Sequence, residues 1–211
     1  MRGNSFRLVL TIGVALTADH CPAQQHGRGQ APDRHAEGLA IRIRLSGEEV
    51  FSRETIRLAE DTTAAILQAA GVHTSWVVCG AGSPLPVSDP CRPPTDPADL
   101  QFEFVTRPGT GLDLLSLAYA IPANHSAAIV YPLVKTSAVK FETSEGIVLG
   151  VVMAHEVGHL MGIARHAITG IMEGTLGRKQ YLLASRGALL FTSAEARRIR
   201  GRLTTLGKPT R

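Results

Sequence analysis

Apolar and polar positions alternate over residues 39–45, with Ile41, Ile43 and Leu45 on one face and Arg42 and Arg44 on the other. That period of two predicts a first strand with its cations in solvent. The period then changes. Ile56, Ala59, Ile66, Leu67 and Ala70 recur at helical spacing, with Ser52 as an N-cap and Gly71 as the stop. Residues 72–79 predict a second strand, and the proline-rich stretch 80–97 a surface loop. Alternation resumes at 101–106, where Phe102 and Phe104 oppose Gln101 and Glu103 in a third strand. Residues 127–134 predict a fourth, and Pro132 marks it as an edge strand or as its end.

Beyond position 144 the pattern becomes a long apolar helix, from about Ser144 to Met161, stopped at Gly162. The run 146–154 is apolar enough for a membrane helix. His155, Glu156 and His159 interrupt it and no companion span exists, so a buried central helix is the simpler account. An irregular stretch leads to Met172, and a last helix begins near Ser193, where Thr192-Ser193-Ala194-Glu195 has the form of a capping box. Strand, helix, several strands, a central helix and a helical tail define one α/β (α+β) domain over residues 38–211, without internal repeats.

The N-terminus follows another logic. Arg2 and Arg7 precede a short uncharged apolar stretch, 8–18, and small residues end at Cys21-Pro22-Ala23. This is the layout of a secretory signal peptide over residues 1–23, cleaved after Ala23 or Ala18, with a flexible polar lead-in over 24–37. The expected destination is outside the cell or the periplasm, with no membrane span after leader removal. Cleavage after Ala23 removes Cys21 and leaves Cys79 and Cys91, an even pair expected to be bridged. Two unrelated thiols, or Cys79 as a latency thiol on a metal, are the alternatives. The net charge of +4 gives no strong electrostatic footprint. The basic tail from Arg197 to Arg202 reads as a helix surface, so nucleic acid is not an expected partner.

The chemistry is concentrated in His155-Glu156-Val157-Gly158-His159. Histidines at i and i+4 project from one helix face one turn apart, which lets both imidazoles reach one zinc ion at roughly 2.0–2.1 Å. Glu156, beside them, is placed to take a proton from a water at the metal and pass it to a leaving amine. No Ser or Cys is placed for a nucleophilic triad. A third ligand must come from beyond the helix. Gly162 can turn the chain back, and His166 follows seven residues after His159. Thr169-Gly170-Ile171-Met172 then suits a tight turn carrying a methionine under the site. Glu173 and Glu195 are the rival third ligands, and Tyr181 a candidate contact for an oxyanion, placed by no motif.

These residues resemble the metzincin metallopeptidases, the group containing matrixins and astacins, whose signature is His-Glu-x-x-His-x-x-Gly-x-x-His followed by a methionine turn. His155, Glu156, His159 and Gly162 match position for position. Arg165 occupies the place of the third histidine, and His166 stands one residue late. The resemblance implies a zincin-like mixed twisted sheet with a backing helix. It implies Zn2+ held by His155, His159 and His166, Glu156 as general base, and Met172 as a support that does not bind the metal. It also makes 127–134 the strand that pairs with extended substrate. The expected activity is hydrolysis of peptide or protein substrates. A zinc-stabilised secreted binding domain without proteolysis is the alternative, and hydrolysis of a non-peptide amide a third reading.

Overall fold

The computed structural model describes residues 38–79, 91, 96, 98–111 and 113–207. The expected leader, the lead-in and most of the proline-rich loop lie outside these residues. Five strands form one sheet: β1 (Leu39–Ser46), β2 (Val72–Cys79), β3 (Asp99–Val105), β4 (Ala118–Ile121) and β5 (Ser126–Val130). Their order is β2-β1-β3-β5-β4, and every pairing is parallel except β4 with β5. Among the described residues five α-helices accompany them: α1 (Arg53–Ala69), α2 (Tyr131–Lys140), α3 (Glu145–Leu160), α4 (Arg178–Ser185) and α5 (Ser193–Leu206).

The predicted signals act where they were read. The Ser52 side chain accepts from the Thr55 N–H at 3.1 Å to open α1, and Gly71, at φ 80°, carries the chain into β2. Ile41, Ile43 and Leu45 join Ile66 and Leu67 of α1 and most of α3 in one core. Helix α3 is buried almost all round, as its unbroken apolar run requires. It lies close against α1. A Cβ on Gly150 would stand 2.6 Å from the Thr62 Cβ, and Thr63 Oγ1 donates to the Gly150 carbonyl at 3.0 Å. That crossing fixes the height at which α3 presents its last two turns. Among the described residues no helix is long and apolar enough to cross a membrane.

Three expectations are corrected, and two elements, β4 and α4, were not expected. The apolar stretch 127–134 is not one strand: β5 ends at Val130, and Pro132 sits in the first turn of α2, where a helix needs no proline N–H. Nor is β5 an edge, because β4 covers it. The edge is Ala118–Ile121, too short to be recognised by alternation. Helix α4 was missed, since it buries only Gln180 and Tyr181. Arg44 is not in solvent but buried beside Asp99, its Nη2 2.5 Å from Oδ2, because parallel pairing brings the first residue of β3 alongside β1. Arg42 remains exposed. Cys79 and Cys91 form a disulfide, with Cα atoms 5.4 Å apart, at the end of β2.

Candidate active site

The helical spacing of His155 and His159 places both imidazoles at the C-terminal end of α3, and a chain reversal supplies the third. Gly162 adopts φ 90°, its N–H donating to the His159 carbonyl, and the backbone turns back along the helix. His166 then faces the pair. The Nε2 atoms of His155 and His159 are 3.0 Å apart, and those of His159 and His166 3.3 Å apart. The one-residue offset is absorbed by the loop.

Backbone carbonyls set the tautomers of the helical pair. Nδ1 of His155 lies 2.8 Å from the Ile171 oxygen, and Nδ1 of His159 lies 2.6 Å from the Ile163 oxygen. A carbonyl only accepts, so each Nδ1 carries the proton and each Nε2 turns a lone pair toward the common centre. Burial, reinforced by the neighbouring imidazoles and opposed by the carbonyl bond, pushes His155 down to about 4. Burial likewise lowers His159. Neutral imidazoles with converging lone pairs repel one another unless a cation lies between them. Four ligands at about 2.0–2.1 Å around zinc would be separated by roughly 3.3 Å, close to the spacings found. The donor set fits zinc.

Glu156 points from the same turn into a cleft of about 1380 Å³, floored by α3 and walled by β4, α2 and α5. Its Oε2 is buried without a hydrogen-bond partner among the described residues, and burial pushes its pKa up to about 8. Strand β4, the sheet edge, borders this cleft with Ala118, Tyr119 and Ala120.

Met172 is wholly buried under the site. The turn is closed by the Glu173 N–H donating to the Gly170 carbonyl at 3.3 Å, and it is tied back by Ala167 N–H to Met172 O at 2.7 Å. The same turn supplies the Ile171 carbonyl that holds His155. A Cβ on Gly158 would collide with the Met172 sulfur, so the glycine inside the His-Glu-Val-Gly-His text is what admits the methionine. Sequence reasoning missed that role and both orienting carbonyls. The glycine was visible in the motif; backbone carbonyls leave no residue signal.

The rivals are engaged elsewhere. Glu173 borders the cleft but accepts from Gln180 Nε2 at 2.5 Å. Glu195 caps α5, its Oε2 accepting from the Thr192 N–H at 2.8 Å. Tyr181 is buried in the core, 5.7 Å from the Phe141 ring, and does not border the cleft. Among the described residues, the three histidines are the single group with metal-binding proximity, their ligand atoms lying within 4.8 Å of one another.

No protein-family model matches the chain, and no curated protein sequence matches it significantly. Solved structures do. A zinc-dependent peptidase from Methanocorpusculum labreanum superposes with a TM-score of 0.50 at 16% identity, covering 77% of this chain and 99% of that one. The two share a fold. Metalloproteinase-II from Bacteroides fragilis gives a TM-score of 0.48 at 10% identity, over 79% of this chain and 54% of that protein.

Proposed function

We propose that this chain is a zinc-dependent endopeptidase of metzincin-like type, with His155, His159 and His166 as metal ligands and Glu156 as general base. The observation that carries the reading is the convergence of three imidazole Nε2 atoms beside a buried carboxyl group that no donor among the described residues satisfies. A purely structural metal site has no use for that carboxyl. Zinc bound there supplies a Lewis acid that polarises a scissile carbonyl and acidifies a water.

The protein's own groups do the rest. The Ile171 and Ile163 carbonyls keep the imidazole protons away from the metal side. Glu156 accepts one proton from the attacking water at its carboxylate and returns it to the nitrogen of the departing amine, so the peptide bond breaks with no net proton change on the protein. Burial raises Glu156 to about 8, and a cation beside it favours the carboxylate, so assembly of the site promotes ionisation of the base. The outer edge of β4 offers backbone groups for an extended peptide, taking the role expected of 127–134. The Cys79–Cys91 bridge supports an oxidising compartment, outside the cell or in the periplasm.

Glu156→Gln tests the assignment. The variant should retain one zinc per chain by metal analysis while peptide cleavage falls about 10²–10⁴-fold. Cleavage at the unmodified rate would dismiss Glu156 as the base. Zinc binding by the unmodified protein without turnover of any peptide would leave a binding domain instead.

A further inference from the structure

The basic tail, read in the sequence as one solvated helix surface, is divided by the fold into groups with different surroundings. Helix α5 buries Ala196, Ile199 and Leu203 against the core. Arg200 is tied down, its Nη1 donating to the Ala70 carbonyl at 2.6 Å. Arg197 is exposed and stands off the cleft. Arg198 and Arg202, one helical turn apart, border the same cleft as His155, Glu156 and His159, with Gly201 leaving the wall low between them. Arg198 Nε stands 4.0 Å from where a Cβ on Gly162 would be, which puts its guanidinium at the turn that follows His159.

Neither cation has an ion pair among the described residues. The acids that border the cleft are on other elements: Asp113, which accepts from the Leu115 N–H, Glu156, and Glu173, held by Gln180. Helix α5 contributes none to the cleft, because Glu195 is used in its cap. Lys140 of α2 adds a third cation to the lining. The α5 wall beside the reacting centre is therefore cationic, and its two arginines have no ion pair among the described residues.

We propose that this wall makes the cleft selective for peptides carrying a carboxylate, received by Arg198 and Arg202. The inference rests on the cleft being a peptide-binding cleft. A planar guanidinium matches a carboxylate with two parallel N–H···O bonds, and two guanidiniums a turn apart span the reach of an Asp or Glu side chain or of a free C-terminus.

The test uses zinc-loaded Glu156→Gln protein, which binds without turnover, and fluorescein-labelled short peptides in matched pairs. One arm compares Glu with Gln at each position; the other compares a free with an amidated C-terminus. Binding is followed by anisotropy. The expected result is an advantage of about fivefold or more for the carboxylate member in one arm, shrinking as salt is raised. The arm that shows it identifies which carboxylate is read. Adding Arg198→Gln with Arg202→Gln should bring the ratio close to one, whereas Arg197→Gln should leave it in place. Equal or absent binding of both members in both arms, or a preference that survives the double substitution, overturns the proposal. Turnover by protein with Glu156 intact separates the two readings. Acidic and neutral peptides cleaved equally would remove the selectivity and keep the hydrolase. Carboxylate-selective binding with no cleavage would do the reverse.

Discussion

His159 and His166 approach one point from two kinds of backbone. His155 and His159 belong to a continuous, largely buried helix whose height is fixed by the glycine crossing with α1, and each imidazole is held by a carbonyl. His166 is exposed, lies in a loop, and its Nδ1 has no hydrogen-bond partner among the described residues. One half of the site is built before any metal arrives. The other half is positioned mainly by the path of the chain between Gly162 and Met172. Orienting bonds of this kind raise ligand basicity and metal affinity, and losing one typically costs about 10–100-fold. The two halves should therefore contribute unequally to metal binding, although the ligands proposed for them are chemically identical.

The largest effect expected from that inequality lies in the ligands themselves. After exhaustive dialysis, His155→Ala and His159→Ala should hold zinc at background level by metal analysis. His166→Ala should keep a measurable fraction and lose it to a weaker chelator than the unmodified protein requires. Equal zinc loss in all three variants would mean that the loop is as well organised as the helix.

A second expectation concerns pH, and it tests how dry the helical half is. In chelator-treated protein, His155 has its pKa lowered to about 4 from the ordinary 6.5, and His159 is lowered in the same sense. Between about 4 and 6.5 the unfolded chain binds those protons and the folded one does not, so stability falls as pH falls. Glu156 is raised from 4.5 to about 8. Between those values the folded chain holds its proton and the unfolded one does not, so stability falls as pH rises. Above 6.5 the imidazole contribution fades and that of Glu156 remains. The urea midpoint of metal-free protein should decline from pH 6.5 to 8, while that of zinc-loaded protein should not, because a cation beside Glu156 holds it as the carboxylate and removes the proton that the folded metal-free chain retains. A metal-free midpoint that climbs over this range would put Glu156 in water.

The same division explains what the chain disclosed before folding. The helical half was legible because both of its signals are local. An i, i+4 histidine pair and an apolar run are read within a few turns, and Ser144 and Gly162 mark the ends. Strands β1, β2 and β3 were legible through alternation or through bounded apolar runs. The run after Ala127 was not, because a stretch without periodicity fits a strand or a helix, and Pro132 closes the one as readily as it opens the other. Strand β4 has four residues, and what makes it a strand is its antiparallel pairing with β5. The loop half was legible only as a list of residues. His166 and Met172 could be named, but the tautomer-setting carbonyls and the engagement of Glu173 by Gln180 depend on contacts that spacing does not encode.

The smallest expected effects sharpen the comparison with one glycine from each half. Gly158 faces Met172 and Phe191 in the core, and an added Cβ would strike the methionine sulfur and stand 3.0 Å from Phe191 Cε1. Neither neighbour has free space, so Gly158→Ala should cost about 1–3 kcal/mol by urea unfolding, as overpacked cores do. Gly174 faces the exposed His166 ring, with an added Cβ 3.1 Å from Cγ and Nδ1. The ring can swing away into solvent, so Gly174→Ala should leave the unfolding midpoint of metal-free protein within about 0.5 kcal/mol of the original. The swing withdraws Nε2 from the other two, so zinc affinity should fall instead, by less than the loss seen on removing His166. A stability loss as large as that of Gly158→Ala would show that the loop carries packing energy of its own. The distinction between a prebuilt half and a half positioned by the chain path would then fail.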